Sequence, residues 1–368
     1  MNSKLQMREI RSSDISDINE VVSFHNAAHG DSRIAAQWTW EYLGNYPDLS
    51  VFAVIEDDGV IVGTNGRIPI YLNIKGKRYL SGKSENSLLH PKYRGGTLFQ
   101  DLYEFATSLS KAKKMHCIWG YTGAVTVWRN KLGLSVYDNC MYESILILNV
   151  QNALSEVVKP GDWAMVRKIS LSLLATFCYS YSLAVRFSFE FLRKSLRTKY
   201  SIEHCLRSID DLNALYERLR GEYPGLIHID QDEQYIRWRI FNNPNIKYET
   251  YFLYEDSLLR GYCYVGANDN TTASLTDFTF ESAEVGAFLL RILLDKWRHE
   301  KIGYVYFLGN AKNPLITTIF NLLKGFGFLR RRSSDSFVLK NISYKDEDHL
   351  YDIKNWYAGG LWTEGYTL

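Results

Sequence analysis

The two halves of this chain carry the same landmarks in the same order. Trp40, six intervening residues and Pro47 match Trp238, five intervening residues and Pro244. Phe52 to Gly63 matches Phe252 to Gly261, each a β-rich run, an acidic turn and a second run ending in glycine. Lys131-Leu-Gly-Leu134 matches Gly325-Phe-Gly-Phe328. The offset is 198 at the tryptophans and 194 at the last pair. A nearly constant offset over three landmarks predicts two copies of one unit rather than a single large core. Length agrees: 368 residues, at roughly 150 per domain, is two domains and a connector.

Composition narrows what the copies are. Hydrophobic residues are 46% and charged residues 23%, which excludes general disorder. Lysine plus arginine (43) nearly cancels aspartate plus glutamate (41), so the bulk charge is not that of a nucleic-acid binder. The five cysteines, Cys117, Cys140, Cys178, Cys205 and Cys263, contain no C-x-x-C pair. That spacing is neither a zinc site nor a disulfide framework and points to a reducing compartment. The polar N-terminus MNSKLQMREIRSSD is not a secretory signal, and the expected location is cytoplasmic.

The first half reads as a helix entered from Ser12 or Ser13, then a hairpin turning at Asp58-Gly59. Further strands cover Arg67 to Leu72, Arg78 to Leu80 and Ser84 to Leu89. After a glycine-bearing loop, Leu98, Leu102, Phe105 and Leu109 recur at helical spacing, with Thr97 and Gln100 as a capping-box pattern. His116 to Tyr121 is a strand, Gly133 ends a short helix, and Ser144 to Val150 closes the unit. Between the halves, an uncharged run from Ile169 to Val185 is flanked by Lys168, Arg186, Arg193, Lys194, Arg197 and Lys199. It is too short and serine-rich for a span, so a helical connector is expected, with peripheral contact of 168–199 with an anionic membrane as the alternative. The aromatic tail around Trp356 and Trp362 is expected to dock on the body.

The loop His90-Pro-Lys-Tyr-Arg-Gly-Gly-Thr-Leu98 carries the chemistry. Two consecutive glycines let successive N–H groups converge, and a helix start adds its positive end, so the loop suits a phosphate or pyrophosphate. Lys92 and Arg94 add charge. An ordinary strand-to-helix turn is the competing reading of the loop by itself.

In context, a strand, then "P-x-Y-R-G", an amphipathic helix, a strand entering Gly-Tyr-Thr-Gly and a short helix ending "K-L-G-L" resembles the GNAT superfamily of acyl-CoA N-acyltransferases. The similarity runs from about Met7 to Val150 and is most specific from Ser84 to Leu134. The resemblance implies an α/β (α+β) fold of tandem GNAT-like domains, each a mixed, mainly antiparallel sheet flanked by helices. It implies acetyl-CoA or another acyl-CoA as co-substrate, with no metal. Arg94, Gly95, Gly96, Thr97 and Leu98, with Lys92, would cradle the pyrophosphate, and Ser87, Leu88 and Leu89 would line the pantetheine arm. Lys92 and Thr97 stand where the family favours Gln or Arg and a small residue, respectively.

Direct transfer needs no nucleophilic cysteine, but an amine near pKa ~10 must lose a proton before it attacks. Glu85, on the strand leading to the loop, is the candidate base, at a position from which family members often supply one. The family's tyrosine acid falls here on Arg129, so Tyr121 and Tyr137 are the substitutes by proximity. His25 and His29, one helical turn apart, have no third ligand near in sequence. Trp38, Trp40 and Tyr42 alternate and either wall an acceptor groove or pack the core.

In the second half the loop is lost: Phe278-Thr-Phe-Glu-Ser-Ala-Glu-Val-Gly-Ala287 would set Glu281 and Glu284 against a pyrophosphate. The expected organisation is a catalytic domain at 1–150, a connector at 151–200, a degenerate copy at 201–343 and a tail at 344–368. The expected function is transfer of an acyl group to a primary amine of a small molecule, an amino sugar being the weak preference. A Fem-type aminoacyl transferase, which takes aminoacyl-tRNA, and a non-catalytic binding or scaffold protein of the same fold are the alternatives. The second half would shape the acceptor cleft or an oligomer contact.

Overall fold

The computed structural model describes residues 5–10, 15–149, 152, 199–268 and 271–363. After β1 (Leu5–Glu9) come α1 (Ile15–His29) and α2 (Ala35–Leu43), then β2 (Val51–Asp57), β3 (Val60–Ile74) and β4 (Lys77–Leu89). Both hairpins turn as their sequences require. Asp58 and Gly59, then Lys75 and Gly76, all hold positive φ, the geometry that matches strand twist. Pro69 is tolerated inside β3 because β2 ends opposite Arg67, so no β2 partner needs its missing N–H. The half continues through α3 (Leu98–Ala112), β5 (Cys117–Thr122), a π-helical turn (Val127–Lys131), β6 (Ser135–Tyr137) and β7 (Met141–Ile147).

The second half repeats this order. It runs β8 (Ser201–Glu203), α4 (Ile209–Glu222), β9 (Ile227–Ile229) and α5 (Glu233–Ile236) with a π turn at Arg237–Phe241. Then follow β10 (Lys247–Glu255), β11 (Leu258–Asn268), β12 (Thr272–Phe280), α6 (Ala283–His299), β13 (Tyr304–Asn310), α7 (Pro314–Gly325), β14 (Leu329–Arg332) and β15 (Ser336–Asn341). The duplication read from three landmarks extends to nearly every element.

The sheets, however, do not follow the halves. One has the order β1-β2-β3-β4-β5-β15-β6, with β9 also on β3; the other has β14-β7-β13-β12-β11-β10-β8. Each half sends its last strand to the other sheet. β15 enters between β5 and β6, and β7 between β13 and β14. The segment from Ser144 onward therefore does not close the first unit as its place in the sequence implied. The compact units are discontinuous: Met1–Asp138, Ile227–Asn245 and Ser334–Ile353 form one, and Asn139–Leu226, Ile246–Ser333 and Lys354–Leu368 the other. Apart from the parallel pairs β4/β5 and β12/β13, all pairings are antiparallel.

In the first unit α3 lays Leu102 and Ala106 on Val51, Ala53, Ile55 and Val62, forming one fully buried core. The opposite face of the sheet receives α2, where Trp38 and Tyr42 pack edge-on against Phe52. Trp38, Trp40 and Tyr42 are all buried, which places them in the core rather than on a groove wall. Trp40 and Trp238, the landmarks of the repeat, stack at 5.4 Å, and each indole N–H donates to the other's backbone carbonyl, at 3.0 and 2.7 Å. The uncharged run and most of its basic flanks lie outside the described residues. Among the described residues no helix is long and apolar enough to cross a membrane.

Candidate active site

The site grows from a parting of two strands. β4 and β5 pair in parallel at Ser81/Cys117, Gly82/Ile118 and Lys83/Trp119, and there the ladder ends. Beyond it, residues 84–89 stay paired with β3 on one edge only. Glu85, Asn86, Ser87 and Leu88 are consequently only half-buried in an otherwise buried strand. A bulge bends β4 at this point: Gly66 pairs with Glu85 but Thr64 with Leu88, an extra residue on β4. Asn86 takes the left-handed conformation there, with φ of 48°, which asparagine tolerates better than most residues. Its carbonyl accepts from the Thr64 hydroxyl at 2.8 Å, and its amide donates to the Tyr42 hydroxyl at 2.6 Å. Ser87 Oγ accepts from the Asn65 amide at 2.6 Å. Leu89, by contrast, turns its side chain into the core over Gly63.

The loop follows directly. Pro91–Tyr93 form a single 3-10 turn, tied down because the Tyr93 hydroxyl donates to Asp57 at 2.5 Å and Arg94 Nε donates to the Leu89 carbonyl at 2.9 Å. Gly95 then takes φ of 104°, a conformation that residues with a side chain rarely adopt. Among the described residues the amides from Gly95 to Gln100 have no hydrogen-bond partner, and the first helical bond of α3 runs from Asp101 N to the Thr97 carbonyl. The capping box expected of Thr97 and Gln100 does not form. Thr97 donates to Asp101 and Gln100 to Glu104, leaving the helix start uncapped by side chains. Lys92 is exposed, and neither its ammonium nor the terminal nitrogens of Arg94 meet a carboxylate among the described residues. These are donors of the kind an anion requires: unpartnered N–H groups, a helix N-terminus and two cations.

The three candidate catalytic side chains share one face of the sheet but not one place. Lys83 pairs with Trp119, so Glu85 and Tyr121, each two residues further on, flank the mouth of the opening on the α2 side. Tyr137 lies two strands beyond β5, with Phe337 of β15 between it and Tyr121. Its hydroxyl donates to the Tyr351 carbonyl at 2.7 Å, which takes it out of the candidate site. Arg129, at the position where the resemblance would place a tyrosine acid, turns away to pair with Asp138 at 2.5 Å. Glu85 forms an ion pair with Lys83, whose side chain is buried. Sequence pattern did not mark Lys83, Asn65 or Asn86. The one available signal was an asparagine within a β-rich run, a residue suited to positive φ.

On the other face, the buried Arg67 guanidinium lies 4.6 Å from the Tyr103 ring centroid and donates to Ser84 Oγ at 2.8 Å. Burial lowers its pKa from the ordinary arginine value. His25 and His29 face each other at 4.5 Å between ring centroids. The described residues form no group of three or more His, Cys, Asp or Glu disposed to hold a metal.

Residues 9–131 match the family model described as acetyltransferase (GNAT) domain. The match lies within the first half of the chain. No curated protein matches the chain in sequence. Solved structures match across nearly its whole length at low identity. A probable N-acyltransferase from Enterococcus faecalis V583 is 8% identical, with a TM-score of 0.60, covering 92% of this chain and 73% of that one. A tandem GNAT protein from the clavulanic acid biosynthesis pathway is 13% identical, with a TM-score of 0.53, covering 93% and 100%. Saccharomyces cerevisiae N-myristoyltransferase with bound myristoyl-CoA is 12% identical, with a TM-score of 0.55, covering 94% and 84%. Identities this low establish the tandem GNAT fold and nothing finer.

In the second unit the helix start is different in kind. Ser282 caps α6 by accepting from the Val285 amide at 3.3 Å. Glu281 is engaged by Arg218 and Arg260, and Glu284 by Lys199 and the Tyr200 hydroxyl. The two carboxylates expected to repel an anion are thus paired with cations, and the cap takes up the Val285 amide.

Proposed function

We propose that the chain is an acyl-CoA-dependent N-acyltransferase whose donor site lies in the first GNAT domain and whose acceptor is a primary amine on a small molecule. The observation that carries this reading is the parting of β4 from β5 beside a helix start whose first amides have no partner among the described residues. Lys92, Arg94 and the amides from Gly95 to Leu98 would hold the pyrophosphate, and Ser87, Leu88 and Leu89 would line the arm. Acyl-CoA would supply an activated thioester, so the chain needs no nucleophile of its own.

Glu85 would hold the proton that the amine loses, and Lys83 keeps its carboxylate in place at the mouth of the opening. Tyr121, across that mouth, is the remaining candidate to return a proton. An amino sugar is the preferred acceptor class, for which Tyr121 offers a partly exposed ring, whereas its neighbours Trp119 and Phe337 are buried in the core.

Thiol release from acetyl-CoA with a panel of amino sugars, polyamines and amino acids tests the reading. At least one acceptor should support turnover, and Glu85→Gln should lower kcat by about 10²-fold or more while leaving donor binding intact. Absence of thiol release with every acceptor and every acyl-CoA chain length tried would refute it.

A further inference from the structure

The second unit repeats the strand parting but does not leave it open. β12 and β13 pair in parallel at Thr272/Tyr304, Ala273/Val305 and Ser274/Tyr306, and the ladder then stops, as it does between β4 and β5. A bulge again bends the strand, between the pairs Val265/Leu275 and Tyr264/Asp277. Yet every residue of β12 is buried, whereas β4 is half-exposed beyond its last partner.

The C-terminal segment accounts for the difference. Gly359 bridges Gly309 in antiparallel sense, and the Asn310 amide donates to the Ala358 carbonyl at 2.8 Å. On the other side, a Cβ at Gly360 would fall 2.8 Å from the Thr276 carbonyl oxygen. A Cβ at Gly359 would fall 2.9 Å from the Leu308 carbonyl oxygen. Only glycines fit so close between two strands. Asn310 Nδ2 donates to the Trp356 carbonyl at 2.9 Å, and Asn313 Nδ2 to that of Lys354 at 2.8 Å. Trp356, Ala358 and Trp362 are almost wholly buried.

A polar latch holds the segment at the bulge. Asp277, itself buried, accepts from the Tyr357 hydroxyl at 3.0 Å, the Tyr262 hydroxyl at 2.7 Å and the Thr279 hydroxyl at 3.1 Å. A buried carboxylate is costly unless its oxygens are satisfied, and Tyr357 is one of the groups that satisfies it.

We infer that Trp356–Trp362 is a built-in ligand of the second unit. It fills the cleft between β12 and β13 that corresponds to the open cleft of the first, and so limits the chain to one acyl-donor site. The comparison of clefts rests on the donor-site reading above; the occupancy itself does not.

Hydrogen exchange and calorimetry on the full chain test this together. Gly360→Val should accelerate exchange at the Asn310 amide and across 356–362 by tenfold or more, with α3 unchanged. Tyr357→Phe, a milder change, should produce a smaller acceleration at the same amides. Acetyl-CoA should bind wild type with a stoichiometry of one. Unchanged exchange in both variants, or two equivalents bound, overturns the inference. No coenzyme bound at all, with exchange accelerated as expected, upholds the tail's role and overturns only the donor-site reading.

Discussion

Gly95 and Gly96 are adjacent and serve different ends. Gly95 holds φ of 104°, whereas Gly96 has no positive φ, and a Cβ at either would meet nothing within 4 Å. Gly95→Ala should therefore cost about 1 kcal/mol through backbone strain alone, and weaken coenzyme binding, while Gly96→Ala stays near neutral in both. Thermal melts and donor titrations of the two variants measure the contrast. The glycine pair was legible in the sequence because turn chemistry is local. The roles of Lys83 and Asn86 were not, because each depends on where the ladder to β5 stops.

Cysteine chemistry belongs to the same scale. Burial pushes the Cys117 thiol up to about 12, so the fold favours its neutral form. Its contribution to stability is complete below the ordinary thiol range and is lost as pH rises from there towards 12. At pH 8 a thiol reagent followed by peptide mapping should label Cys205, which is exposed, well before Cys117, Cys140 or Cys263.

Among elements, α2 and its counterpart show why an internal repeat can mislead about domains. The landmark tryptophans were read as equivalent positions in separate copies, yet Trp40 and Trp238 pack on each other within one unit. Gly44 is needed beside them, since a Cβ there would fall 2.5 Å from Trp238 Cδ1. Trp40→Ala and Trp238→Ala should each cost about 3–5 kcal/mol, and the double variant less than their sum, because each change already breaks the shared pair. Chemical denaturation of the three variants gives the coupling directly. Hydrophobic period and turn residues were enough to mark β2 to β5, β7 and α3. The Thr97–Gln100 pattern misled because both side chains bond residues further along the helix, Asp101 and Glu104.

At the scale of the whole molecule, strand exchange makes the halves mutually dependent. A fragment of residues 1–150 lacks β15, so β5 and β6 have no strand between them, and its β7 has no sheet to join. Expressed alone, it should remain unfolded or aggregate through open edges, and co-expression with 199–368 should restore folded protein. Circular dichroism and gel filtration distinguish the outcomes. The duplication was visible in the sequence because landmarks keep their spacing, but the exchange was not. A β7 strand has the same alternation whichever sheet receives it, and only long-range pairing decides.

The account's central claim is a single donor site at the loop 92–98, and calorimetric titration of acetyl-CoA into wild type and Gly96→Glu tests it most directly. Gly96 tolerates a side chain in open space, so the variant changes charge without straining the backbone. Wild type should bind one equivalent, and Gly96→Glu should lose at least tenfold in affinity, on the order of 1.4 kcal/mol, at unchanged thermal stability. Equal affinity in the two proteins, or no binding by wild type, would contradict the claim.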